Sequence, residues 1–326
     1  MINNSIENLI KSNSKRINKT NILCIGDMIL DQYIYGHVER MSPEAPVPIL
    51  SVKDENFQLG GVGNVARNIS SLGGKATIIS LIGKDSSSKY IEKLIKKEKN
   101  LKGDFVADEH YSTPLKMRFL NKFTQLLRVD KEGTISKLKT SYIQKIKDKI
   151  RKQIEHYDAV IISDYNKGLI TKELIKELVK LGKKSKSIIL ADPKSKDFKI
   201  YEGVDFLTPN QKELSEATNN FIDSEKEAVE SGKQIIEQCK IKNVLLTRSE
   251  KGMILISNKK FKNFPTLAKE IYDVSGAGDT VIAVLAIMIA SGFDIETSAL
   301  LSNHAAGIVV GKKGTAVTTQ EEMIKF

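Results

Sequence analysis

Asp273-Val274-Ser275-Gly276-Ala277-Gly278-Asp279-Thr280 runs directly into the wholly apolar stretch Val281–Ala290. Glycines at 276 and 278 let the backbone turn sharply and approach a ligand closely. The N–H groups opening the helix that follows have no partner inside it, and the positive end of its dipole lies behind them. Gly276, Ala277 and Gly278 thus make an anion hole for charge on a transferring phosphoryl group. Asp279, in the first helical turn, is placed to take a proton from an attacking hydroxyl. A free Asp is a weak base, with a pKa of about 3.9. Phosphoryl transfer tolerates this, because its loose transition state depends mainly on positioning and charge stabilisation. The alternative reading is an Asp that only caps a buried helix. Two preceding glycines and an apolar helix behind it favour the catalytic reading.

Outward from this segment, apolar β-branched runs alternate with helical patterns. Strands are expected at Asn21–Gly26, Ala76–Ile82, Ala159–Ser163, Ser187–Ala191, Asp205–Thr208, Asn243–Thr247 and Met253–Ser257. They are near-continuous apolar runs, as in strands covered on both faces. Helices are expected at Val65–Leu72, Ser87–Lys97, Ser136–Glu155, Thr171–Lys183, Gln211–Thr218, Ser224–Gln238, Asp279–Ala290 and Ile295–Val310. This alternation implies an α/β fold with a mostly parallel sheet and helices on both sides. Two stretches break the rhythm. Tyr33–Val38 and Pro48–Val52 flank the proline-rich turn Met41–Pro48, and Lys116–Leu120 pairs with Gln125–Asp130. Both read as strands inserted into the α/β body at about 33–57 and 111–130, forming a small sheet over one end of a single domain, 1–326. No internal repeat or low-complexity linker marks a second domain.

Hydrophobic residues make up 40% of the chain and charged residues 28%, a soluble globular profile. The formal charge is +11, yet only seven of the 51 basic residues are Arg. Base-edge readers and bidentate phosphate clamps favour Arg, so a lysine-rich solvated surface is expected rather than a nucleic-acid interface. Anionic substrates still gain from that field. Cys24 and Cys239 have no CxxC or His partner and read as reduced thiols. Met1–Thr20 lacks a signal-peptide core, and Val281–Ala290 is too short to span a bilayer, so a cytoplasmic protein without a membrane partner is expected.

Asp273–Thr280 resembles the C-terminal signature of the ribokinase-like (PfkB) sugar kinases, and other runs resemble that family in the same order. The resemblance implies a three-layer α/β/α sandwich with a β-sheet lid, ATP and Mg²⁺ as cofactors, and Asp279 as base. In Gly26-Asp27-Met28-Ile29-Leu30-Asp31 the last acid takes the sugar-hydroxyl role, with Asp27 a second candidate. A carboxylate accepts hydroxyl hydrogen bonds well. Gly60-Gly61-Val62-Gly63-Asn64 resembles the N-terminal signature, bringing Gly60, Gly61 and Asn64 to the sugar. Val62 stands where a small residue is usual.

Asn210-Gln211-Lys212-Glu213 resembles the Asn-x-x-Glu element near the ATP phosphates, with Glu213 reaching Mg²⁺ through water. Taken alone, the same spacing is a capping box. Thr247-Arg248-Ser249-Glu250-Lys251-Gly252 resembles the nucleotide-phosphate turn, and Asn303 and Gly311–Thr315 resemble the parts flanking adenine.

Four further segments are similar to those of D-glycero-β-D-manno-heptose-7-phosphate kinases within the family. They are Arg40–Pro48, Lys116–Phe119 with Gln125–Asp130, Ser163–Gly168 and Ala191–Lys194. Asn166 replaces a usual glycine. This similarity implies phosphorylation of the anomeric C1 hydroxyl, giving the 1,7-bisphosphate for ADP-heptose and lipopolysaccharide core synthesis. It also implies Arg118, Arg128, Asp164, Lys167 and Lys194 as sugar-phosphate residues, although each cation could instead pair with a local acid such as Asp130, Asp164 or Asp192. It further implies a homodimer packed through the lids. Such kinases are often fused to a nucleotidyltransferase. The chain ends at Phe326, soon after the kinase pattern, so that second activity is expected of another protein.

The alternatives are a ribokinase-type kinase for fructose 1-phosphate, tagatose 6-phosphate or a nucleoside, and a non-catalytic nucleotide- or sugar-binding sensor. A Rossmann dehydrogenase needs G-x-G-x-x-G after the first strand, where this chain has Gly26-Asp27-Met28.

Overall fold

A computed structural model describes residues 2–122, 124–133, 140–268 and 270–326. The strands in chain order are β1 (Asn21–Gly26), β2 (Met28–Met41), β3 (Pro48–Gly61), β4 (Lys75–Ile79), β5 (Leu81–Gly83), β6 (Leu101–Gly103), β7 (Val106–Asp108), β8 (Leu115–Asn121), β9 (Thr124–Lys131), β10 (Ala159–Ser163), β11 (Ile188–Asp192), β12 (Phe206–Leu207), β13 (Asn243–Thr247), β14 (Met253–Ser257) and β15 (Phe261–Phe264). The α-helices are α1 (Ile2–Ile17), α2 (Val62–Ser71), α3 (Ser86–Ile95), α4 (Thr140–Gln153), α5 (Lys172–Ser185), α6 (Gln211–Thr218), α7 (Glu225–Gln238), α8 (Ala277–Ala290), α9 (Ile295–Val309) and α10 (Gln320–Lys325).

Nine strands form the main sheet in the order β15-β14-β13-β12-β11-β10-β1-β4-β6. From β13 to β6 every pairing is parallel, and β14 and β15 add antiparallel to one edge. Alternation along β1 separates two cores. Ile22 and Cys24 join the layer that holds α2 and α8, whereas Leu23 and Ile25 join the layer that holds α4, α5 and α7. The result is the expected α/β/α sandwich. Both cysteines are buried and free. No helix among the described residues is long and apolar enough to cross a membrane.

A second sheet, ordered β3-β2-β8-β9, is the expected lid. Its first hairpin is longer than the sequence indicates. β2 and β3 pair from Met28 with Gly61 out to Met41 with Pro48. Their inner ends, Met28 to Leu30 and Leu59, are buried in the core, whereas their outer ends are largely exposed.

The expected strand Ala76–Ile82 is interrupted at Ser80. Its hydroxyl donates to the Gly26 carbonyl (2.6 Å) and accepts from the Met28 amide (3.2 Å), and the chain beyond it pairs with β7. The described part of the expected helix Ser136–Glu155 is α4, and residues 136–139 lie outside the described residues.

Chain order runs outward in opposite directions from β1 and β10, so the sheet's switch point lies between them. Ligands bind outside the carboxyl ends of strands at such a point. There the chain leaves β1 at Gly26-Asp27 and β10 at Asp164-Tyr165.

Candidate active site

Asp279 lies at the start of α8, a helix buried along most of its length, and is itself buried. Its carboxylate has two donors. Asn64 Nδ2, from the first turn of α2, donates to Oδ2 (2.8 Å), and the Tyr165 hydroxyl donates to Oδ1 (2.9 Å). Burial pushes its pKa up to about 6; these hydrogen bonds and Lys116 oppose the shift, while Asp31 adds to it. The group is therefore ionised at neutral pH but far more basic than a free Asp. Asn64 Oδ1 is buried with no partner among the described residues.

Gly276 caps α8 in the left-handed region, φ 79°, and a Cβ there would meet Asn64 Nδ2. A Cβ on Gly278 would meet nothing within 4 Å, so this position opens into free space. The anion hole is narrower than expected. The Ala277 amide already donates to the Val274 carbonyl (3.2 Å). The amides of Gly276 and Gly278 make no hydrogen bond among the described residues. Asp273 braces the turn by accepting from the Ser275 amide (2.9 Å) and the Gly314 amide (3.0 Å). The Gly311–Thr315 turn thus packs on the anion-hole loop.

The turn opens on two cavities. One, of about 310 Å³, is lined by Asp164, Tyr165, Asp192, Lys194, Asn210, Glu213, Thr247, Gly276, Gly278 and Asp279. The other, of about 300 Å³, is mostly apolar and includes Gly252, Met253, Ile271, Val281, Asn303 and Gly307. Thr247, Val274 and Gly278 border both. A third hollow, of about 470 Å³, lies beside them and takes in Gln211, Lys212 and Arg248. Arg248 is buried and reaches Gln211 Oε1 at 3.4 Å. Asn303 Nδ2 donates to the Pro265 carbonyl (2.7 Å), fixing the loop at the edge of the apolar cavity.

Asn210 and Glu213 form the capping box of α6. Glu213 Oε2 accepts the Asn210 amide (2.9 Å), and Oε1 accepts from Lys194 Nζ (2.8 Å). Asp192 is the acid that the sequence reading missed here. Burial raises its pKa well above the usual range, and the charges of Asp279 and Glu213 add to this. Asp192, Glu213 and Asp279 line one cavity, with Lys194 paired to Glu213 among them.

On the lid side, buried Asp31 is held by Arg118, Nη1 to Oδ1 at 2.6 Å. A Cβ on Gly60 would overlap Asp31 Oδ2, so glycine there keeps that oxygen accessible. At Gly61, φ is 57° and a Cβ would strike the Asp27 carbonyl. Asp27 is committed within the protein: its Oδ2 accepts the amides of Tyr165 (2.9 Å) and Lys167 (3.1 Å). Asp164 is likewise engaged, by the Asn166 amide (2.7 Å) and the Tyr201 hydroxyl. Asn166 has φ 56°, a left-handed conformation that Asn tolerates better than most residues, which explains why it can replace glycine.

Lys167 pairs with Glu132, and the half-exposed Arg128 pairs with Asp130. Lys116 was not singled out from sequence. Its Nζ lies 5.2 Å from the Tyr165 ring centroid and makes no ion pair among the described residues. Burial pushes its pKa below the usual Lys range, with Arg118 and Lys167 nearby adding to the shift. Tyr165 was also missed, because a Tyr in a loop carries no spacing signal.

A buried carboxylate at a helix N-terminus, two amides without partners among the described residues and two adjoining cavities are features that phosphoryl transfer to a hydroxyl requires. A family profile described as pfkB family carbohydrate kinase matches residues 19–322. The chain belongs to this family. It is 38% identical over 311 residues to "Bifunctional protein HldE" of Paramagnetospirillum magneticum, covering 95% of this chain and 64% of that protein. It is 39% identical over 311 residues to HldE of Haemophilus influenzae, with 95% and 64% covered. The kinase chain therefore spans less than two thirds of the length of these curated relatives. Among solved structures it is similar to Escherichia coli phosphofructokinase-2 in complex with potassium (TM-score 0.78, 19% identity, 94% of this chain and 97% of that one). Arabidopsis thaliana ribokinase complexed with ribose and ATP is also similar (TM-score 0.72, 18% identity, 94% and 98%). Both share the fold of this sugar kinase.

Proposed function

We propose that this kinase transfers the γ-phosphoryl group of ATP to the anomeric C1 hydroxyl of D-glycero-β-D-manno-heptose 7-phosphate, giving the 1,7-bisphosphate for ADP-heptose and lipopolysaccharide core synthesis. The observation that carries the reading is the buried Asp279, which lines one cavity beside Gly278, where that cavity meets the second. The HldE relatives and the heptose-kinase-like lid segments support the choice of sugar. In this reading Asp279 takes the hydroxyl proton while the Gly276 and Gly278 amides face the transferring group. Asp31 and the unpartnered Asn64 Oδ1 hold sugar hydroxyls. Gly60 and Gly61 shape that wall, with Asp27 and Asp164 acting through the loop they anchor. Lys116 receives the 7-phosphate together with Arg118 and Lys167, which are paired with Asp31 and Glu132, while Arg128 and Lys194, paired with Asp130 and Glu213, lie at the edges.

Adenine suits the apolar cavity beside Asn303, with its phosphates running past Thr247, Arg248, Gly252 and the Asn210–Glu213 element, Gln211 and Lys212 included. Hydrated Mg²⁺ suits the Glu213 side of the cavity, where Glu213 would hold it through water. When bound, the ion neutralises phosphate charge. The lid carries exposed apolar residues, among them Met41, Val47, Val52 and Leu127, which suit a homodimer packed lid to lid.

A coupled ADP-release assay across sugar phosphates tests the substrate. Turnover with the manno-heptose 7-phosphate well above that with fructose, tagatose or sedoheptulose phosphates is expected. The reverse order would overturn it.

A further inference from the structure

We propose that Tyr165 is a positioning residue for phosphoryl transfer, its hydroxyl holding the Asp279 carboxylate in the rotation and ionisation state that a base requires. This rests on Asp279 being the base. Tyr165 does not act on the sugar in this account; it acts through the hydrogen bond to Oδ1 (2.9 Å). Asn64 holds Oδ2 from a different segment, so the two donors together fix the plane of the carboxylate. A carboxylate held by one donor alone would turn about its Cβ–Cγ bond, and the oxygen facing the sugar hydroxyl would be lost for part of the time.

The segment carrying Tyr165 is anchored at three successive amides. Those of Tyr165 and Lys167 donate to Asp27, and that of Asn166 donates to Asp164. Both acids are buried, and desolvation raises the pKa of each. Burying two carboxylates to tie down three residues is costly unless the segment must deliver something in a fixed place. The group it delivers to Asp279 is the phenol. Lys116, on lid strand β8, lies over the phenol ring, where a cation strengthens the O–H as a donor. Burial and the Asp279 charge push the Tyr165 pKa well above its ordinary value, so the phenol keeps its proton.

The charged groups facing Asp279 are Asp31 from β2, Lys116 from β8 and Asp192 from β11, with the paired Glu213 and Lys194 lining the same cavity. All of these remain in Tyr165→Phe, which removes a single hydroxyl. The lost hydrogen bond favours the ionised carboxylate, so its removal raises the pKa of Asp279, by about one unit if it is an ordinary bond to a charged group.

The test compares wild type with Tyr165→Phe in two readouts: the acid limb of the kcat profile, and the ¹³C titration of the Asp279 carboxyl carbon, assigned by its absence in Asp279→Asn. The carboxyl titration needs no turnover. It is expected to move up by about one unit, with the kinetic limb following and the activity deficit growing toward pH 6. KM for ATP should stay the same. A thermal melt confirms that the variant is folded. A carboxyl titration coincident with wild type would overturn the proposal, whatever the change in rate. If Asp279 is not the base, the carboxyl titration still shifts while the kinetic limb does not, which separates failure of that reading from failure of this one.

Discussion

At the scale of single residues, the site depends on atoms held where small changes cannot be absorbed. Asp31 cannot swing away from a side chain at position 60 without breaking its 2.6 Å contact to Arg118. Gly60→Ala is therefore expected to raise KM for the sugar by about ten- to a hundredfold, the worth of a hydrogen bond to a charged group. KM for ATP should be unchanged, and steady-state kinetics in both substrates checks this.

Asp279 gives a second prediction. Its pKa is raised to about 6, and it must be ionised to accept a proton. Activity is expected on the alkaline side of about pH 6 and should fall as the pH drops through that value. A kcat profile flat down to pH 5 would contradict it. The two glycines and the Asp were legible in sequence because their chemistry is local. Tyr165, Lys116 and Asp192 were not, since they matter only through neighbours far away in the chain: Tyr165 meets Asp279 across 114 positions.

At the scale of elements, α8 was legible because burial on all sides leaves an unbroken apolar run. α1 was not. Its buried side chains Ile6, Ile10 and Ile17 form a sparse stripe in an otherwise polar segment. The lid strands were recognised only in their outer parts, and their buried roots looked like core. Within the lid, Lys116 stands out as a partly buried cation beside Arg118 and Lys167. Lys116→Met keeps the length and removes the charge. It should raise KM for a phosphorylated sugar by about tenfold or more, the worth of one charge-assisted hydrogen bond. The change should be much smaller for the same sugar without its phosphate. Equal effects on both would show that the lysine does not meet the phosphate.

At the scale of the whole molecule, alternating strands and helices were enough to give the sandwich, and its switch point gives the site's position. The order of the lid sheet, in which β2 pairs in parallel with β8, could not be read locally because about 75 residues separate those strands. The exposed apolar lid residues predict a dimer at micromolar concentration by light scattering. Leu127→Asp, which places a charge at a 56%-exposed Leu, should yield a monomer. A monomeric wild type would remove the lid-to-lid arrangement.

The central claim is that Asp279 takes the proton from the attacking hydroxyl. Its most direct test is single-turnover ADP formation by Asp279→Asn with saturating ATP and heptose 7-phosphate. The account predicts a rate about 10²- to 10⁴-fold below wild type with both substrates still bound. A single-turnover rate equal to wild type would contradict it.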